Sequence, residues 1–311
     1  MKKNLVKNNP LGRRHPFSCG LIAAFALGAF VTHGFAAAYM WNFDAGDLTA
    51  AYGNGELVYF HADTEGVTGF GSTGGAIPNI NGQTANYMYV PAFGPTNFGY
   101  QLWLHDSGPN GGDPDYIRQY TIIFDVYVPE PLNWLPFFNT NPWNKNDAEF
   151  YLRNNGSIGL DPGAGGNTGT GYSPGGVVAA NTWHRIGFAG DFEAGTVAYY
   201  VDGQQVHYKD NLTAAVRSKY SLYSNVPDEE GKDPYPSFAL FNNNYPTGSD
   251  PNAYTHELYV NSIAVADWTL SPEEMAGLGG ANAAGILIPE PSSLALAALG
   301  LVTLLGFRRL R

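Results

Sequence analysis

Thr182 to Val206 reads TWHRIGFAGDFEAGTVAYYVDGQQV, and this stretch decides the fold. Trp183–Phe188 places Ile186 and Phe188 on one face of an extended chain, and Thr196–Val201 is built of β-branched and aromatic residues. Asp202-Gly203 then separates VAYYV from QQVHY. A two-residue type I′ turn needs φ > 0 at both positions, which Asp-Gly supplies, so Thr196–Val201 and Gln204–Tyr208 are expected to form a hairpin.

Outward from this segment the same short-period pattern recurs. Strand candidates are Leu57–His61, Tyr120–Val128, Ala148–Leu152, Ser237–Phe241 and His256–Ala266. In YTIIFDVYV, Tyr120, Ile122, Phe124, Tyr127 and their apolar neighbours fill both faces, as a strand inside a sandwich requires. One short helix is expected after the last strand: Ser271 caps, Pro272 takes the first helical position, Glu274 completes a capping box and Gly279 stops it.

Composition agrees with this reading. The 39 Gly and 21 Pro among 311 residues exceed the usual share of about 12%, giving a loop-rich chain. Only 14% of residues are charged while 44% are hydrophobic, which excludes intrinsic disorder. Between residues 39 and 288, 8 Lys and Arg face 26 Asp and Glu, so this body repels phosphate backbones and nucleic acid is excluded as a partner. The one cysteine, Cys19, lies before the body, which leaves the body without disulfide, thiol or Cys-ligated metal chemistry. The fold class expected is all-β: a two-sheet antiparallel jelly-roll sandwich over residues 39–280 with one short C-terminal helix.

The two ends read as addresses. Residues 1–38 run from a basic start through the apolar stretch Phe17 to Val31 to Ala36-Ala37-Ala38, the layout of a secretory signal peptide. Cleavage is expected after Ala38 or one residue earlier, with Ala36 and Ala38 as the small recognition residues. Gly20, Gly28, Thr32 and His33 make the alternative, an uncleaved anchor, a poor span. Arg13-Arg14 leaves a twin-arginine export route open beside the general one. At the other end a linker, 281–288, leads to Pro289-Glu290-Pro291, the 16-residue apolar run Ser292 to Phe307, and Arg308, Arg309 and Arg311. As a helix that run covers about 24 Å, a slightly short transmembrane segment with its basic tail on the cytoplasmic side.

The Pro-Glu-Pro triplet, single hydrophobic helix and arginine cluster, in that order over residues 289–311, resemble the PEP-CTERM sorting signal of bacterial exported proteins. The resemblance implies an exosortase, a membrane transpeptidase-like enzyme that removes the tail, in bacteria that make exopolysaccharide. It implies a protein held transiently in the inner membrane and then released to the cell surface or extracellular matrix. A second resemblance covers the body. WNFDAGDL (Trp41 to Leu48), the opening 182–206 segment and VNSIAVADWTLSPEEMAGLGG (Val260 to Gly280) are similar to the LamG-type jelly roll of the concanavalin A-like lectin and glucanase superfamily. Trp183, Asp202 and Gly203 match framework positions of that pattern. The superfold hosts lectins, glycosidases and adhesion modules alike, so it does not choose a ligand.

Catalytic residues are not expected. The glucanases of that superfamily resemble one another in a Glu-x-Asp-x-x-Glu strand, and no such run occurs. Asp147-Ala148-Glu149 lacks a third acid, and the Asp228–Asp233 cluster reads as a solvated loop. His61, His105, His184, His207 and His256 lie singly, without zinc-site spacing. Calcium is the candidate cofactor, because hard cations take clustered oxygens from Gly-rich loops. Asp106, Asn110, Asp113 and Asp115 in HDSGPNGGDPD are one candidate set; Asn242, Asn243, Asn244 and Asp250 in FNNNYPTGSD are another. Ordinary turn chemistry is the competing reading of both.

PLNWLPFFNTNPW presents Trp134, Phe138 and Trp143, with Phe137, among prolines and asparagines. Read as a loop, it offers rings to stack on a sugar; the alternative is that the rings cap the core. The expected function is therefore non-catalytic association with carbohydrate or extracellular matrix. A glycoside hydrolase or lyase with divergent acids, and a protein-protein adhesion module, are the alternatives.

Overall fold

The computed structural model describes residues 36–60, 62–92, 99–140, 148–163, 165–223, 236–242 and 256–288. With strands numbered in chain order, one antiparallel sheet runs β14 (Gln204–Lys209), β13 (Thr196–Val201), β12 (Trp183–Asp191), β7 (Gln119–Tyr127), β17 (Leu258–Ala266), β4 (Asn86–Val90) and β3 (Gly69–Ser72). β1 (Ala38–Trp41) pairs with the C-terminal half of β17. The second sheet runs β11 (Gly171–Tyr172), β10 (Ile158–Leu160), β9 (Glu149–Leu152), β8 (Leu135–Asn139), β16 (Ser237–Leu240), β5 (Tyr100–Leu104) and β2 (Gly55–Tyr59). β6 (Tyr116–Ile117) and β15 (Leu222–Tyr223) make a separate pair. Three short helices, α1 (Ala62–Glu65), α2 (Ala214–Tyr220) and α3 (Pro272–Leu278), complete the described elements.

The sheets meet through aromatic rings. Phe124 of β7 lies 5.5 Å from Phe137 of β8, and Phe188 of β12 lies 5.0 Å from Phe138 and 5.3 Å from Phe150 of β9. Several pairs are edge-on or tilted, the arrangement ring quadrupoles favour, each adding about 0.5–1.5 kcal/mol beyond area burial. At one side the sandwich closes where Thr170 bonds the hydroxyls of Tyr199 and Tyr220 and the ring of His207 meets the Thr170 carbonyl.

β7 is buried on its other face as well. Ile123 packs with Ala189, Ala198, Tyr200, Ala264, Met275 and Ile286, so α3 and residues 281–288 form a third layer over the first sheet. The capping box at Ser271 and Glu274 is present, and Gly279 ends the helix at φ +61°. Gly203 lies under this helix. Its φ is +77°, and an added Cβ would stand 3.1 Å from the Met275 carbonyl, so the turn needs glycine for both conformation and space. Asp202, at φ +51°, completes the expected type I′ turn.

Beneath the third layer lies a buried ion pair. Asp125 and Arg185 sit opposite each other in the β7–β12 register, 0% and 3% exposed. Arg185 Nε and Nη2 donate to the two Asp125 carboxylate oxygens, each at 2.7 Å. Two further guanidinium hydrogens reach the carbonyls of Leu278 at 2.5 Å and Gly285 at 3.3 Å, and the Asn282 N–H donates to Asp125 at 3.2 Å. Burial pushes the Asp125 carboxyl up, against the lowering pull of Arg185 and these donors.

The strand expectations for Leu57–His61, Tyr120–Val128, Ala148–Leu152 and the other quoted runs each meet an observed strand, with ends shifted by at most three residues; His61 itself lies outside the described residues. Leu135–Asn139 is different: read as a loop, it is the fully buried β8. A bulge between Pro136 and Phe138 accommodates the proline and turns the consecutive residues Phe137 and Phe138 both into the core. Among the described residues no helix is long and apolar enough to cross a membrane. The run 292–307 and residues 1–35 lie outside them. Residues 281–288, set aside as a linker in the sequence, carry Ile286 at 0% exposure. Ile286, Leu287 and Ile288 line one groove of about 300 Å³ together with Ala38, Tyr39 and Met40 of β1.

Removing one partner of a buried, hydrogen-bonded ion pair leaves the other charge uncompensated. Asp125→Ala is therefore expected to lower unfolding free energy by about 3–5 kcal/mol, read by denaturant titration of the purified protein. A loss below 1 kcal/mol would contradict the role assigned to the pair.

Candidate functional site

The second sheet carries a part-exposed cluster on its outer face. Trp134 immediately precedes β8, Tyr151 lies in β9, Arg153 follows β9, and Tyr172 ends β11. Phe150 and Leu152 point into the core, so the alternation of an extended chain turns Tyr151 outward. The Arg153 guanidinium stands over two rings, 5.0 Å from the Trp134 centroid and 4.4 Å from that of Tyr172. Trp134 also meets Tyr151 and Tyr172 edge-on at 6.0 and 6.4 Å. Trp134, Arg153 and Tyr172 are each half-buried, and Tyr151 packs beneath them at 4% exposure. In an acidic body, Arg153 makes no ion pair among the described residues; Arg118 and Arg185 do. A ring surface bordered by a guanidinium fixed between two π faces offers stacking area and N–H donors together.

Of the expected glycan-binding trio, Trp134 reaches this cluster. Phe138 is 0% exposed among Phe150, Phe188 and Phe238, so no ligand can stack on it; the bulge that buries it was not visible in a Pro/Asn-rich run. Trp143 lies outside the described residues, as do Asn243, Asn244, Asp250, Asp147 and the Asp228–Asp233 cluster. Arg153, Tyr151 and Tyr172 carry no spacing signal in the sequence, because pairing of β8, β9, β10 and β11 brings them together.

The described calcium candidates are not assembled into a site. Asp106 accepts from Asn54 at 3.0 Å, whereas Asp113 is paired with Arg118 at 2.5 Å and accepts the N–H groups of Asp115 and Tyr116. Asn110 spends its side chain on the backbone of Arg118, Gln119 and Asp267. Asn242 is buried at 6% exposure. Among the described residues no group of three His, Cys, Asp or Glu could hold a metal ion. Asp113 and Asn110 instead satisfy backbone donors of their turn, the competing reading of the same loop.

The described histidines of the body have structural partners too. His184 Nδ1 lies 2.7 Å from Asp202, while its Nε2 accepts the Ala179 N–H at 3.1 Å, so both ring nitrogens are occupied. Burial works to raise the Asp202 carboxyl, but hydrogen bonds from His184 and the Arg185 N–H hold it below its usual range. His256 meets the Pro129 carbonyl and His105 meets Glu56. His207 stacks on Tyr199 at 4.7 Å with its Nε2 at 3.0 Å from the Thr170 carbonyl, beneath the strand that carries Tyr172. Ala36 precedes β1 and Ala38 is its first residue; Pro289, Glu290, Pro291, Arg308, Arg309 and Arg311 lie outside the described residues.

Comparison with known proteins adds one motif. Residues 287–310 match the PEP-CTERM protein-sorting motif, which covers the C-terminal segment and not the sandwich. No curated protein matches the chain. Among solved structures, the chain is similar to domain 4 of AbnA, an extracellular GH43 arabinanase from Geobacillus stearothermophilus, solved with arabinotriose. The two are 17% identical with a TM-score of 0.46, over 79% of this chain and 99% of that one. The botulinum neurotoxin serotype G binding domain is 14% identical at a TM-score of 0.46, over 78% of this chain and 50% of that one. The Ruminococcus gnavus sialidase module CBM40 is 13% identical at 0.38, over 53% and 84%.

Burial holds the His207 imidazole below its usual range, with Lys209 adding to the effect and the Thr170 carbonyl opposing it. A ring with a lowered folded pKa contributes stability that is present above its ordinary value of 6.5 and is lost as pH falls through the folded value. His207→Gln should therefore flatten part of the acid-side fall in melting temperature, followed by calorimetry between pH 8 and 5. An unchanged pH profile in the variant would contradict this.

Proposed function

We propose that this is an exported, surface-sorted binding protein whose sandwich associates with extracellular polysaccharide through the cluster of Trp134, Tyr151, Arg153 and Tyr172. The observation that carries the reading is the guanidinium of Arg153 held over two half-exposed rings on the outer face of a sheet. Stacking gives affinity for the apolar face of a sugar, and the guanidinium donates to its hydroxyls. The sorting motif supports export, with signal peptidase acting at the N-terminus and an exosortase-type enzyme at the Pro-Glu-Pro segment. In this reading the precursor is held briefly in the inner membrane and then released to the surface or matrix. The LamG-type framework of Trp183, Asp202 and Gly203 serves as scaffold. Because acids outnumber bases in the body, neutral glycans are favoured over strongly anionic ones.

The absence of catalysis belongs to the same proposal. It is supported by the work the described acids already do: Asp113 and Glu193 bind Arg118, Asp125 binds Arg185, Asp191 binds Gln119 and Glu257 binds the Tyr89 hydroxyl.

Glycan arrays and affinity electrophoresis of the exported protein provide the test. Trp134→Ala and Tyr172→Ala are each expected to weaken retention by roughly 1–2 kcal/mol, about 5- to 30-fold, while the melting temperature stays close to that of wild type. Lowered melting in the variants with no polysaccharide retarding the wild type would overturn the reading.

A further inference from the structure

Asp267 follows directly on β17 and is 9% exposed. Its Oδ1 accepts the N–H of Ala37 at 2.8 Å, and its own N–H donates to the Ala37 carbonyl at 3.1 Å. Ser107 supplies a further hydrogen bond. Among the described residues, no Lys, Arg or His lies within ion-pair distance of it. The titratable groups beside it are Tyr39, whose hydroxyl bonds Ser107 and takes the Asp106 N–H, and Asp106 itself. Neither brings positive charge. A carboxylate this buried ordinarily has a cation, and without one burial pushes Asp267 up to about 6, against the N–H of Ala37.

The sequence before Ala37 offers the missing charge. Signal peptidase requires small residues at the first and third positions before the cut. A cut after Ala36 presents Ala36 and Gly34, and one after Ala38 presents Ala38 and Ala36, whereas a cut after Ala37 places Phe35 at the third position. The structure distinguishes the two permitted cuts. Removing Ala37 and Ala38 would delete both bonds to Asp267 and the Ala38–Ala266 pair that begins β1.

We propose that the signal peptide is removed after Ala36, and that the α-ammonium so created on Ala37 forms a buried ion pair with Asp267. This rests on the export reading above. In the cleavage, water adds across the Ala36–Ala37 peptide bond. Its hydroxyl goes to the Ala36 carbonyl carbon, which leaves as a carboxylate, and the nitrogen of Ala37 becomes an amine that is protonated at neutral pH. That nitrogen already stands 2.8 Å from Oδ1, so the pair forms without movement of β1. Processing thus turns a hydrogen bond of the precursor into a charge-assisted one in the mature chain.

Two measurements on the protein exported by its own host test this. N-terminal sequencing is expected to read Ala-Ala-Tyr from Ala37. A chain beginning at Tyr39 would overturn the proposal and leave export intact, while a chain retaining residues 1–36 would overturn both. In the folded mature protein, acylation of the α-amine by a small anhydride at pH 7, followed by mass spectrometry of the N-terminal peptide, should run about tenfold slower than in Asp267→Asn, the effect of one unit in amine pKa. The same protein unfolded in urea gives a second reference rate, independent of the variant. Equal rates in the folded and unfolded protein would overturn the ion pair.

Discussion

The buried pair of Asp125 and Arg185 is the constraint from which the rest of the architecture follows. Two charges taken out of water inside a sheet are tolerated only when every remaining donor and acceptor is filled. Neither β7 nor β12 can supply those partners, because their own backbone groups are committed to the sheet. The last residue of α3 and the chain after it supply them, through the carbonyls of Leu278 and Gly285 and the N–H of Asn282. The third layer is thus held by polar as well as apolar demand. Arg185 also links this layer to the hairpin, since its N–H and the ring of His184 both engage Asp202. A single carboxylate at the turn therefore connects the sequence motif Trp-His-Arg to the seat of the C-terminal helix.

This arrangement separates the two faces of the sandwich by use. Around Ile123, Tyr200 and Ala264 the outer face of the first sheet is covered by the molecule's own C-terminal segment, while Tyr87, Tyr89 and Tyr259 at its β4–β17 end stay part-exposed. The outer face of the second sheet carries the clamped guanidinium of Arg153 and its rings.

Much of the fold was legible in the sequence because it is written in local signals. TVAYYV-DG-QQVHY and SPEE each specify their conformation within ten residues or so, and both appear as read. β8 escaped because its signal, LPFFN, contains a proline and two adjacent aromatics where alternation was sought; only the bulge reconciles them with a strand. β3, β10 and β11 are short and contain glycine, which weakens any pattern. The site was less legible for a different reason. Trp134 was visible as an aromatic in unusual company, but Arg153 and Tyr172 become its neighbours only through pairing of four strands. In the acidic loop around Asp113, capping a turn and holding a cation call for the same oxygens, and spacing alone does not distinguish them.

The groove shared by β1 and Ile286–Ile288 means that the domain has its beginning and its end side by side. A chain of this kind is topologically almost a ring. A few residues joining the two sides of that groove would close it, and a new opening at the exposed Glu193–Ala194 turn would leave every strand intact. The same closeness makes the sandwich a natural cassette, able to sit inside a loop of another protein without forcing its host apart.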